Sequence, residues 1–96
     1  MKMLTRERIE EIVKEALVDR LKVDPKAVTP DADFIDELNA DSLGMVDLLI
    51  GLEEGFEKEL GEKFTIPDPD AEGKTTLRLV ADYIEERLSG DSQPAA

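Results

Sequence analysis

Cysteine and histidine are both absent from this chain of 96 residues. Without cysteine there is no disulfide framework and no thiolate of its own, so any thiol chemistry has to use a thiol from outside the chain. Without histidine, no serine–histidine relay can activate a serine, and the many carboxylates lack the partners of a hydrolytic site. Positive charge is scarce as well: 12 lysines and arginines face 24 acids, for a net charge of −12. That balance argues against nucleic acid and anionic membranes as partners. No apolar run is long enough to span a bilayer, and Met1-Lys2-Met3-Leu4-Thr5 leads directly into an amphipathic pattern instead of a signal peptide. A reducing cytoplasm is the expected compartment.

The acids are unevenly placed. Residues 31–62 hold eleven of them against Lys58 alone. Two readings stand: a solvated face that keeps the protein dispersed, or a field that steers it toward basic patches on partners, which predicts salt-sensitive association. Calcium loops do not account for them. Asp68-Pro69-Asp70-Ala71-Glu72-Gly73 begins like one, but Leu79 stands where the last position needs a bidentate glutamate, and Asp31-Ala32-Asp33 lacks the glycine. No metal site is expected.

A chain of this length forms one domain with a modest core, burying about 60% of its unfolded surface or a little more. The first helix is expected over about Arg6 to Leu21, with Thr5 as N-cap and Ile9, Ile12, Val13, Ala16, Leu17 and Leu21 as its apolar stripe. Asp24 and Pro25 start one short turn that Thr29-Pro30 stops. The loop over residues 31–40 then crosses the bundle, with Phe34, Ile35 and Leu38 as apolar pins. Thr75 or Thr76 caps a last helix whose core stripe is Leu77, Val80, Ala81, Ile84 and Leu88. Residues 89–96, with Gly90 and Pro94, read as a flexible tail after a single domain over residues 1–88. The fold class is all-α: a small four-helix bundle of three long helices and one short one, with no sheet.

The most informative stretch is residues 34–56. Asp41 is a good N-cap, which puts Ser42 at the first position of a helix with its hydroxyl near the surface. Met45, Leu48, Leu49, Leu52 and Phe56 recur at three- and four-residue spacing and form the core stripe. Leu43, Val46 and Ile50 form a second apolar stripe, mixed with Asp47, Glu53 and Glu54. A helix in a small bundle seldom buries two faces, so this stripe reads as a docking surface beside the serine; burial by a neighbouring helix or a second copy is the alternative. The helix should continue to about Leu60 and end at Gly61 in a left-handed C-cap, with a loop or short turn through Ile66-Pro67-Asp68-Pro69. Gly44, Gly51 and Gly55 inside it each cost about 0.5–1 kcal/mol relative to alanine, so the helix leans on tertiary packing.

The chain resembles the acyl carrier proteins. The match lies in Phe34, Asp36-Glu37-Leu38, Ala40-Asp41-Ser42-Leu43, Val46, Asp47, Leu48 and Leu52-Glu53-Glu54, then in Ile66-Pro67, Thr75-Thr76-Leu77 and Tyr83-Ile84. It covers about residues 5–88. Asp-Ser-Leu alone is weak, since a mere helix cap would look the same; the longer Leu38-Asn39-Ala40-Asp41-Ser42-Leu43 core followed by an acidic amphipathic helix is specific. The resemblance implies that Ser42 carries 4'-phosphopantetheine taken from coenzyme A, with Asp41 and Leu43 flanking the attachment point. It implies that the thiol of that arm holds acyl groups as thioesters, and that Leu43, Val46, Asp47, Ile50, Glu53 and Glu54 form the docking surface. The partners implied are a phosphopantetheinyl transferase and acyl-processing enzymes with basic patches, acting on a monomer with no catalytic activity of its own.

Two departures from the family stand out. Residues 57–65 intervene where relatives pass from the phenylalanine to Ile-Pro in a few positions, and Gly44 replaces a residue that is often acidic. At Gly44 the readings are drift at a tolerated site, or room for a partner or the arm to approach. Fatty acid synthesis or a related acyl pathway is the implied setting. Polyketide, aminoacyl or specialised lipid cargo is the alternative within the class, although Ala40 before Asp41 looks more acyl than peptidyl. From another class, an unmodified acidic bundle could bind a partner helix through Leu43, Val46 and Ile50.

Overall fold

A computed structural model describes residues 4–89 and, among them, the side chains of all but Asp68 and Ser89. Helix α1 spans Arg6–Leu21, α2 Ser42–Leu60, α3 Asp68–Ala71 and α4 Leu77–Ser89, with one turn of 3-10 helix at Pro25–Ala27. Among the described residues there is no strand, only an isolated antiparallel bridge between Asp33 and Thr76. The all-α bundle of three long helices and a short one is the architecture read from the sequence. Of the expected tail, residues 90–96 lie outside the described residues, as do residues 1–3.

Local chemistry sets the ends of these helices. Thr5 Oγ1 accepts from Arg8 N at 3.1 Å, and Lys22 closes α1 in the left-handed region with its N–H on Val18 O. Asp24 caps the 3-10 turn through Lys26 N. Gly61, at φ +75°, ends α2 as its missing Cβ allows. Thr76, not Thr75, caps α4, its hydroxyl accepting from Leu79 N at 3.2 Å.

One core joins the helices. Ile9, Ile12, Val13, Ala16 and Leu17 of α1 are buried, and both α2 and α4 pack against α1. From α2 the core takes Leu48, Leu52 and Phe56, with Met45 and Leu49 half-buried at its edge; from α4 it takes Leu77, Val80, Ala81, Ile84 and Leu88. The loop between α1 and α2 contributes Val28, Ala32, Phe34, Leu38 and Ala40. Ile35 departs from the expectation: it is 48% exposed and pins nothing. Its neighbours Phe34 and Leu38 face inward, and the tight turn at residues 33–38 leaves Ile35 on the outside.

That loop is held by Asp33. Its Oδ1 accepts from Ile35 N and Asp36 N, both at 2.9 Å, its Oδ2 from the Thr75 hydroxyl, and its backbone carbonyl from Glu37 N and Leu38 N. Next to it, Phe34 N donates to Thr75 O at 2.8 Å, tying the loop to the start of α4.

The segment between α2 and α3 is held as firmly. Phe64 folds back and is buried against Phe56, with ring centroids 5.6 Å apart. Arg87 of α4 lies over the Phe64 ring and donates to Thr65 O and to the Tyr83 hydroxyl, which in turn donates to Asp70 of α3. Burial, and then the bond to Asp70, push the Tyr83 phenol above its ordinary value. Phe64 and Ile66 thus make this segment part of the core's cover.

The Asp33 carboxyl is held below its ordinary value, first by the Asp36 N–H and then by the Ile35 N–H and the Thr75 hydroxyl. A depressed folded-state value stabilises above the unfolded value and loses that effect as pH falls through the folded one. Asp33→Ala should therefore melt below the wild type by a gap that is steady from about pH 7 to about pH 5 and narrows at lower pH. Thermal melts of the two proteins across that range check it; a gap that ignores pH would mean that the carboxylate charge is not what holds the loop.

Candidate functional site

The site is built at the start of α2. Asp41 sits in extended backbone and its Oδ1 accepts from Gly44 N at 2.7 Å, while its carbonyl accepts from Met45 N. Ser42 follows as the first helical residue and is exposed, so the hydroxyl faces solvent and takes no part in the cap. The N–H groups of Ser42 and Leu43 precede the reach of the helix ladder, and among the described residues no other backbone group accepts from them. An anionic phosphodiester on the Ser42 oxygen would meet free donors and the positive end of the dipole, so these residues fit a phosphopantetheine arm.

Beside the serine runs the second apolar stripe. Leu43 is 75% exposed, Val46 55% and Ile50 44%, and with Gly44 and Asp47 they line a shallow open groove. No helix of the described chain covers them. The acids around this stripe are less available than their charge suggests. Arg20 of α1 donates to Asp47 Oδ1 at 3.0 Å and to Glu54 Oε1 at 2.7 Å. Glu53 turns the other way, its carboxylate accepting from Ile66 N at 2.7 Å. Sequence reading took all three as outward-facing charges. Arg20 went unnoticed there; the signal was an arginine in the last turn of α1 facing a helix with acids at 47 and 54 and a glycine midway between them.

Glycine in α2 has a packing cause. A Cβ at Gly44 would lie 3.2 Å from both Asp41 Oδ1 and Leu21 Cδ2; at Gly51, 2.8 Å from Arg20 Cγ; at Gly55, 3.1 Å from Ile12 Cγ2. All three sites face α1. A side chain at position 44 would thus crowd the cap and Leu21, while the outer side of Gly44 still lines the open groove.

On the other side of α2, a small apolar cavity lies under Ile66, Ala71 and Tyr83 and against Leu48, Leu52 and Val80. Its volume is about 20 Å³, room for one water at most. An acyl chain does not fit there unless α3 parts from α4, and the Tyr83–Asp70 bond opposes that. Among the described residues no group of acids is placed to hold a metal, and no helix is long and apolar enough to cross a membrane.

Comparisons with known proteins show the family. Residues 11–84 match the family model described as the phosphopantetheine attachment site. The acyl carrier protein of Bdellovibrio bacteriovorus is 45% identical over 75 residues, covering 78% of this chain and 88% of that protein. That of Rubrobacter xylanophilus is 43% identical over 83 residues, 86% of this chain and 95% of that protein. The corresponding figures for Thermosynechococcus vestitus are 41% over 86 residues, 90% and 99%. Fold and site thus define a phosphopantetheine-bearing carrier domain. The chain belongs to the acyl carrier protein family. As such it has 4'-phosphopantetheine as its covalent group, and it is a non-catalytic carrier on which other enzymes act.

The cap geometry separates the roles of adjacent residues. Asp41→Ala should cost about 0.5–2 kcal/mol of stability, the usual cost of losing an N-cap. Ser42→Ala, at an exposed position outside the cap, should stay within about 0.5 kcal/mol of the wild type. Urea unfolding of the two variants would show it, and a Ser42→Ala loss as large as that of Asp41→Ala would contradict the cap assignment.

Proposed function

We propose that Ser42 is the attachment point of the 4'-phosphopantetheine arm, and that the chain shuttles acyl intermediates in fatty acid synthesis or a related acyl pathway. The observation that carries this is the exposed Ser42 hydroxyl at the first position of α2, clear of the Asp41 cap and flanked by the exposed Leu43. In loading, the Ser42 oxygen would bond to the phosphorus of coenzyme A that bears the pantetheine. The pyrophosphate P–O bond would break to release adenosine 3',5'-bisphosphate, and the hydroxyl proton would pass to a base of the transferase or to solvent. Once attached, the group supplies the thiol that this cysteine-free chain lacks.

Leu43, Val46, Asp47, Ile50, Glu53 and Glu54 form the proposed docking face, with the apolar row as its centre. Glu53 has the weakest claim, because its carboxylate is bound to Ile66 N. The partners proposed are a phosphopantetheinyl transferase and acyl-processing enzymes with basic patches, in the cytoplasm, with the carrier as a monomer and residues 1–88 as its domain. Sheltering of the cargo in the cavity under α3 would require that helix to move. Ala40 before Asp41, where peptidyl carriers tend to have glycine, favours acyl over aminoacyl cargo.

Intact mass before and after incubation with coenzyme A and a broad-specificity phosphopantetheinyl transferase tests the assignment. The wild type should gain one phosphopantetheinyl group and Ser42→Ala none. A folded wild type that starts without the arm and gains nothing would overturn the reading in favour of an unmodified module that binds a partner helix through Leu43, Val46 and Ile50. A gain that persists in Ser42→Ala would move the attachment elsewhere.

A further inference from the structure

Arg20 of α1 engages two of the acids on the proposed docking face. Asp47 and Glu54 are seven residues apart, two turns along one side of α2, about 10 Å along the axis. A single guanidinium spans them by laying its stem over the gap between them, which is Gly51. A Cβ there would stand 2.8 Å from Arg20 Cγ and 2.9 Å from its Nε, so the crossing depends on that glycine. The bridge also borders the exposed stripe: Asp47 follows Val46 and lies three residues before Ile50.

We propose that Arg20 is a built-in competitor for partner enzymes: by bridging Asp47 and Glu54 across Gly51 it withholds two docking carboxylates until a partner's arginine or lysine displaces it. The inference rests on the reading of α2 as the docking face. The side chains involved are 27% exposed for Arg20, 48% for Asp47 and 65% for Glu54, so solvent and a partner both reach the bridge. Ion pairs this exposed are individually weak and break readily. A partner arginine offers the same planar fork that Arg20 uses, so the exchange conserves hydrogen bonds and changes only their owner. The carrier is thereby tuned toward loose, readily reversed association.

The test is the second-order rate constant for loading coenzyme A's phosphopantetheine onto the full chain by a broad-specificity transferase, read by intact mass at low and at physiological salt. Arg20→Gln should raise it about two- to fivefold at low salt, the range that follows from releasing one exposed bridge. Gly51→Ala evicts the Arg20 stem without altering net charge and should raise it similarly. Lys58→Gln removes a cation from the same α1–α2 groove, releases neither carboxylate, and should change the rate by less. The gain of Arg20→Gln should vanish in an Asp47→Asn, Glu54→Gln background. Rates for Arg20→Gln and Gly51→Ala equal to or below the wild type would overturn the competitor, as would a Lys58→Gln gain as large as theirs, which would reduce the effect to overall charge. Loading of no protein at all, wild type included, would instead remove the carrier reading beneath it.

Discussion

Everything in this bundle leans on one buried face of α1. Ile9, Val13 and Leu17 are fully buried, and α2 and α4 pack mainly against α1 instead of against each other. The space this leaves between α2 and α4 is filled by pieces without regular periodicity: Phe34 from the crossing loop, Phe64 and Ile66 from the segment between α2 and α3, and the single turn of α3. A wall made of one continuous helix resists deformation, whereas a filling made of short pieces opens more easily, because each piece is held by few contacts. The small cavity lies in that filling and not against α1.

The same dependence explains α2. A helix with three interior glycines would be marginal by propensity alone, at about 0.5–1 kcal/mol lost for each. Here the glycines form the seam on which α1 rests, with Leu21, Arg20 and Ile12 seated where their side chains would have been. The cost in propensity is offset by close packing on one side, and the opposite side stays free of packing duties. Leu43, Val46 and Ile50 are exposed because nothing in the bundle needs them.

What could be read from the sequence was what depends on near neighbours. The ends of α1 and α2 followed from Thr5, Asp41 and Gly61, each of which acts within four residues, and the core faces followed from helical periodicity. The place of Ser42 at the first position of α2 was legible because the cap that sets it is its immediate neighbour. Ile35 was misread since an apolar residue in a loop carries no period to say which way it points. Asp33 and Thr75, Phe64 and Phe56, Tyr83 and Asp70, and Arg20 with Asp47 and Glu54 were invisible for a related reason: they join segments that only the folded chain brings together. The role of residues 61–67 belongs to the same class, since it depends on where Phe64 lands.

The arginines show how an acidic carrier is held together. All five join one element to another: Arg6 reaches Asp82 and Glu85 of α4, Arg8 reaches Glu59 and Arg20 reaches Asp47 and Glu54 on α2, Arg78 grips Asp31 in the crossing loop, and Arg87 covers Phe64. With twice as many acids as bases, the fold cannot neutralise its charge and instead places its few guanidinium groups where helices meet. Most of these bridges are exposed, so each contributes modestly and salt weakens it. The contacts that remain indifferent to salt are the apolar ones behind α1. A chain built this way can keep a negative surface for its partners and still fold, because the charges that repel are spread over the outside while the charges that attract are concentrated at the joints.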